Sequence, residues 1–201
     1  MQESWRMLLS GTTITTIFIN GNQMLTSWCG DSRAVLYRNT KKGVLKAYPL
    51  TTDHTPEVAE ERERIEDSGG EVRALDPIPG VEDNGPLRVY EAGGFAPGLA
   101  MTRSFGDHKA HLVGCIALPE QTLHKLTPRD QFVVIASDGL WEVVPNEEIG
   151  EICKKNRKLS CREISRKLAE RAHHGWRQMM VDEGGLLVVD DCAISVLKFN
   201  L

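Results

Sequence analysis

Three carboxylates in this chain stand where an apolar run meets a turn. Asp31 follows the run Met24 to Gly30, and Asp138 closes Phe132 to Ser137 with Gly139 behind it. Asp190, beside Asp191, precedes Cys192 to Phe199. An apolar run reads as a strand entering a core, and an ionised carboxylate stranded at its end is costly, so each must be hydrogen-bonded, neutralised or bound to a cation. If the strands are neighbours, their ends gather like charges that raise one another's pKa unless a cation lies among them. No histidine or cysteine occupies a comparable place, so the donor set is all oxygen. Such a set suits a hard divalent ion, Mg2+ or Mn2+, better than Zn2+.

Taken singly, each aspartate also has a plainer reading. Asp138-Gly139 is a turn dipeptide, Asp31-Ser32 an Asx-turn and Asp190-Asp191 a solvated charge pair. Asp107 reads as a helix cap, His54 as a turn or cap residue, His173-His174 as a solvated helix face and Trp141 as a core anchor. Cys29, Cys115 and Cys192 lie in apolar, strand-like contexts and read as core thiols, not thiolates.

The elements that position these residues follow from local pattern. Thr12 to Ile19 is rich in β-branched residues and meets the hairpin signal Asn20-Gly21 before Met24 to Cys29 runs back. A turn at Gly30 to Ser32 leads into Ala34 to Tyr37, which predicts a three-stranded antiparallel meander. Thr55-Pro56 predicts the N-cap and first residue of a helix with Val58 and Ile65 on one face, ended by Gly69-Gly70. Residues 73–98, dense in proline and glycine, read as an irregular excursion. Phe132 to Ser137 predicts a central strand and Asn146 the cap of a helix through Cys153. Ser160 to Glu163 forms a capping box for a longer helix striped by Ile164, Leu168, Ala172 and Trp176. Gly184-Gly185 then separates that helix from a last strand, Cys192 to Phe199. Strands and helices added in blocks, not in strict alternation, predict an α+β layered fold.

Bulk properties set limits on all of this. A chain of 201 residues can bury a substantial core, and one domain is expected. The net charge of −4 comes with acids and bases spread along the chain, so no nucleic-acid or membrane partner is expected. The five cysteines are odd in number and contain no CxxC pair, which fits reduced thiols in a cytoplasmic or nuclear setting. The opening residues carry no signal pattern, and no apolar run approaches the ~20 residues needed to span a bilayer. A monomer is expected.

Six segments, in order, carry a resemblance. They are "SGTT" from Ser10, "CGDSRAVL" from Cys29, "LTTDHTPEVAEERERIEDSGGEV" from Leu50, "PGLAMTRSFGD" from Pro97, "FVVIASDGLWEVV" from Phe132 and "DDCAISVL" from Asp190. Together they resemble the metal-dependent serine/threonine protein phosphatases of the 2C type, with wording similar to plant and protozoan members. The resemblance implies a four-layer αββα sandwich, two antiparallel sheets flanked by helices. It implies that Asp138 and Asp190 bind a binuclear Mg2+ or Mn2+ centre, and that Asp31 helps hold a third ion. Glu142 stands where many members have aspartate as a further ligand of that ion. Residues 73–98 match the flap beside the active site.

The implied activity is hydrolysis of phosphoserine and phosphothreonine in phosphorylated protein substrates by a metal-activated water, with no covalent phosphoenzyme. The family's early Asp-Gly-His-Gly-Gly segment, its general-acid histidine and its phosphate-binding arginine have no counterpart here. Residues 1–201 therefore read as the C-terminal two-thirds of a single catalytic domain, and the 201-residue chain is expected to hydrolyse phosphate esters poorly. The alternative is a catalytically silent phosphatase-fold binding or regulatory module. An unrelated metal-assisted hydrolase is disfavoured by the ordered motifs.

Overall fold

Strand β1 (Gly11–Thr12) leads into β2 (Ile14–Asn20), and Asn20-Gly21, with Gly21 at φ +58°, turns the chain back into β3 (Gln23–Cys29). After β4 (Arg33–Asn39) and β5 (Leu45–Pro49) comes helix α1 (Ala59–Asp67). Strands β6 (Gly70–Arg73), β7 (Arg88–Glu91), β8 (Pro97–Leu99) and β9 (Phe105–Gly106) precede the single turn α2 (His108–His111). Strands β10 (Glu120–Lys125) and β11 (Asp130–Ala136) follow, then α3 (Asp138–Trp141), α4 (Asn146–Lys155), α5 (Cys161–Asp182) and β12 (Ile194–Lys198). The computed structural model describes residues 8–75, 85–182 and 189–200. Gly184-Gly185 lies outside them.

The chain clusters into two compact units. One holds the stretch ending at Ile14, Trp28–Asp31 and Asp53–Glu120, and the other holds Thr15–Ser27, Ser32–Thr52 and the chain from Gln121 onward. In the second unit a four-stranded antiparallel sheet has the order β12-β11-β4-β5, and a three-stranded sheet has the order β10-β3-β2.

Side chains alternate across a strand, so β11 and β4 serve two cores at once. Phe132, Val134 and Ala136 join Val35 and Tyr37 of β4 against Ile149 and Cys153 of α4 and Ile164, Leu168 and Ala172 of α5. On the opposite face Val133, Ala34 and Leu36 pack with Met24 of β3, Leu50 and Leu126. Burial on both faces explains why "FVVIA" is a continuous apolar run. Each such side chain contributes about 1.5–3 kcal/mol by leaving water. Sheet against sheet, with helices on one outer face, is the layered α+β arrangement expected from the sequence.

The first unit is built around a three-stranded antiparallel sheet, β6-β7-β8, with α1 packed on β6. Ile65, Val89, Ala110, Val113 and Cys115 form its core.

Four local expectations are corrected by the structure. The predicted meander breaks at Gly30 to Ser32: β3 pairs with β2 and β10, whereas β4 pairs with β11 and β5. A strand whose Ala34, Val35, Leu36 and Tyr37 are all buried belongs inside a sheet covered on both faces, not at the end of a hairpin series. Helix α1 starts at Ala59 with Val58 as its cap, because Val58 N–H turns back to Thr55 O (3.1 Å) before the first helical bond, Arg62 N–H to Val58 O (3.0 Å). Asn146 is the first residue of α4, not its cap; Pro145 holds that place and its carbonyl accepts from Ile149 N–H at 3.1 Å. The stretch 73–98 is not wholly irregular, since it holds β7 and the start of β8, strands too short to show a period.

Other expectations hold. Ser160 N–H donates to Glu163 Oε2 (2.9 Å) and Glu163 N–H to Ser160 Oγ (3.3 Å), the reciprocal bonds of a capping box. Ile164, Leu168, Ala172 and Trp176 are all buried, and His173 and His174 lie on the exposed side of α5.

Candidate metal centre

Strand β11 ends at Ala136, and Ser137, extended at φ −71° and ψ 167°, turns it into α3, whose first residue is Asp138. Two indoles hold this turn from below. Trp141 Nε1–H donates to Ala136 O at 2.8 Å, and Trp176 Nε1–H of α5 donates to Gly139 O at 2.7 Å. Trp141 is thus the core anchor expected, with the Arg33 guanidinium 5.5 Å from its ring centroid.

The segment entering β12 is fastened to the same turn. Ser137 N–H donates to Ala193 O (3.1 Å), Ala193 N–H to Ser137 Oγ (3.1 Å), and Ser137 Oγ–H to Asp191 O (3.3 Å). The approach is close enough that Gly139 must lack a side chain. A Cβ there would stand 2.3 Å from Asp191 O and 3.5 Å from Asp190 Oδ2.

That clamp brings Asp138 and Asp190 together from positions far apart in the chain. Asp138 is half-buried and accepts Gly139 N–H at 3.0 Å; Asp190 is exposed and its Oδ1 accepts Asp191 N–H at 2.8 Å. Burial, and then the charge of Asp190, push the Asp138 carboxyl above the usual carboxylate range, against the pull of Gly139 N–H. Cys192, beside the pair, is a thiol. Burial first, then the charges of Asp190 and Asp138, raise it to about 11. Burial likewise raises Cys29, and takes Cys115 and Cys153 to about 12, so these too are inert thiols.

A half-buried carboxylate destabilised by its neighbour, with oxygen the only ionised donor near it, matches the chemistry of a hard divalent ion. Glu142 is exposed one helical turn further on, its N–H bonded to Asp138 O at 3.0 Å. Asp31 lies in the other unit, buried on the turn after β3. Among the described residues no three histidine, cysteine or acidic side chains form a metal-holding group.

Sequence reasoning missed how the Asp31 turn is held. His54 N–H donates to Gly30 O (3.1 Å) and Gly30 N–H donates to His54 Nδ1 (3.1 Å), a two-point clamp. The His54 ring is buried and stacks on Trp28 with centroids 6.0 Å apart. Gly30 sits at φ +110°, and a Cβ there would lie 2.3 Å from Thr13 Cγ2. Burial first, then the Arg103 charge, hold the imidazole pKa below its ordinary value, so Nδ1 stays an acceptor. We expect His54→Leu, which leaves Gly30 N–H buried without an acceptor, to lose ~1–3 kcal/mol of stability. His54→Asn, which puts an amide oxygen near the Nδ1 place, should recover much of that loss in a urea titration.

The fold is an antiparallel layered α+β arrangement with two neighbouring carboxylates, Asp138 and Asp190, beyond the end of β11. Residues 2–175 match the family "Protein phosphatase 2C", and the chain belongs to that family. It is 37% identical over 191 residues to "Probable protein phosphatase 2C 61" of Arabidopsis thaliana, covering 95% of this chain and 55% of that protein. To "Probable protein phosphatase 2C 12" of Oryza sativa subsp. japonica it is 39% identical over 198 residues, covering 98% of this chain and 48% of the relative. The chain thus spans about half the length of these curated relatives. The fold matches the crystal structure of serine-threonine phosphatase 2C from Toxoplasma gondii with a TM-score of 0.77, at 22% identity, over 96% of this chain and 60% of the other. A C. elegans sex determining protein matches at a TM-score of 0.70 and 21% identity, over 97% and 41% of the two chains.

Proposed function

We propose that the complete protein hydrolyses phosphoserine and phosphothreonine esters in proteins with Mg2+ or Mn2+, and that residues 1–201 supply the C-terminal part of one catalytic domain. The single observation that carries this reading is the meeting of Asp138 and Asp190 across the Ser137–Ala193 clamp, in a chain of this family. When bound there, a divalent pair supplies positive charge against a phosphoryl group and lowers the pKa of water. This chain's own residues do the rest of the holding. Asp138 and Asp190 are the ligands, Gly139 admits the Asp190 segment, and the two indoles keep the turn from yielding. Asp31 and Glu142 are each proposed, separately, as further metal ligands. Residues 73–98 are proposed as a flap that meets substrate.

The test is direct binding. Mn2+ added to the 201-residue chain should lose its free-ion electron-spin resonance signal, and Asp138→Asn or Asp190→Asn should each weaken that binding by about tenfold or more, ~1.4 kcal/mol. Unchanged binding in both variants would remove the assignment. Because only two of the ligands meet among the described residues, the 201-residue chain should turn over p-nitrophenyl phosphate barely above background even with saturating Mn2+. A second reading, a binding or regulatory module without chemistry, rests on that same incomplete ligand set and on Glu142. It predicts that the complete protein is also inactive toward a phosphothreonine peptide.

A further inference from the structure

We propose that the hollow at the C-terminal end of α4 is a docking groove for an acidic segment of a partner protein. Lys154, Lys155, Arg157 and Lys158 place four cations within five positions, all exposed, in a chain whose net charge is −4. This run is the exception to the even spread of charge along the sequence. Cations in the last turn of a helix are favoured by its dipole, which accounts for Lys154 and Lys155, but Arg157 and Lys158 lie beyond that turn. None of the four makes a salt bridge among the described residues.

Two hollows meet at the run. The larger, about 760 Å³, contains Glu148 and Glu151, and Glu148 is already bonded to Arg171 at 2.6 and 3.0 Å. The smaller, about 360 Å³, lies between the run and the end of the four-stranded sheet. Lys154, Arg157, Lys158 and Lys198 line it with no carboxylate among its walls, and Leu45, Phe132 and Phe199 supply its apolar surface. The backbone of the run is held in place. Lys198 Nζ donates to Arg157 O (3.3 Å) and Leu159 O (3.2 Å), and Asn156 Nδ2–H to Ile152 O (2.8 Å).

A cationic rim over an apolar concavity recognises a peptide that pairs one apolar side chain with flanking Asp, Glu or phosphate. A bilayer surface or a nucleic-acid duplex would meet the cations but leave the concavity empty. The groove is independent of the metal centre. Phe132 is near the start of β11 and Asp138 beyond its end, roughly 20 Å away at ~3.3 Å per strand residue.

The experiment is fluorescence anisotropy of the 201-residue chain with a labelled Asp/Glu-rich peptide bearing one leucine. The wild type should bind it, more weakly as salt rises to ~0.15 M. Arg157→Glu with Lys158→Glu should weaken binding about tenfold or more, and replacing the leucine by serine should weaken it several-fold. Lys154→Gln with Lys155→Gln, a milder change, should lie between, with circular dichroism showing that each variant is folded. Asp138→Asn should bind as well as the wild type, which separates this surface from the phosphatase reading. Equal binding by the charge-reversed variant would overturn the proposal. So would capture by phosphatidylserine vesicles or a DNA duplex, lost in that variant, with no binding of the peptide.

Discussion

Replacing Asp138 or Asp190 by asparagine in the complete protein is expected to abolish phosphatase turnover while leaving the fold intact. Asparagine keeps an oxygen for the 3.0 Å bond from Gly139 N–H, so the turn into α3 survives. It also removes the like-charge contact that, with burial, raises the Asp138 carboxyl above its usual range. The variant should therefore melt no lower than the wild type. What it loses is the anionic oxygen that a hard divalent ion needs. If these are the ligands proposed, losing one should cost about 10³-fold or more in kcat/KM, ~4 kcal/mol of transition-state stabilisation. Asp191→Asn is the control. Asp191 is exposed, and its carbonyl, not its side chain, takes the Ser137 hydroxyl. Turnover by Asp191→Asn near the wild-type rate, with Asp190→Asn inactive, would assign the role to the first carboxylate of the pair. Near-normal turnover by Asp138→Asn or Asp190→Asn would refute it.

Glu61→Ala is expected to be the most damaging single change to stability in the first unit. Glu61 is buried, yet its carboxylate receives Arg64 Nη1 and Nη2 at 2.9 and 2.8 Å, Arg103 Nη2 at 2.6 Å, and the Thr102 hydroxyl. Those guanidinium groups reach onward, Arg64 Nε to Gly114 O (2.9 Å) and Arg103 Nη1 to Leu118 O (3.0 Å). One carboxylate thereby ties α1 to the segments around 102–103 and 114–118. Removing it leaves half-buried guanidinium charge without its partner, which costs about 3–5 kcal/mol, a large part of a typical domain's 5–15 kcal/mol. Glu61→Gln, which keeps an acceptor, should cost less than Glu61→Ala. Equal stability of wild type and Glu61→Ala in urea would show the network to be dispensable.

The same carboxylate sets a pH dependence. Burial pushes the Glu61 pKa up, but the hydrogen bonds from Arg64, Arg103 and Thr102 outweigh it and hold the group far below its ordinary 4.5. A depressed folded pKa contributes stability that is fully present above the unfolded value. That stability drains away as pH falls below about 4.5. Wild-type stability should thus decline between pH 4.5 and the acid limit of folding, and Glu61→Gln should show a shallower decline over the same window.

Local pattern went far with this protein. The β-branched run before Asn20-Gly21, the capping box at Ser160 and the stripe on α5 each correspond to an observed element, because period and capping act over a few residues. That Asp138 and Asp190 stand at the ends of apolar strands was also readable, since a charge in that place demands a partner wherever the strand goes. What lay beyond sequence was pairing. Gly30 to Ser32 looks like any hairpin turn, and only burial of both faces of β4 moves that strand into a different sheet from β3. Glu61 likewise reads as one acid among many on a charged helix, and its two arginines come from three and forty-two residues away. Types and spacing along the chain determine which residues can bind a cation or form a strand. Which of them meet is decided by packing in three dimensions, because the contacts that join Asp138 to Asp190, or Glu61 to Arg103, close loops whose length no local rule senses.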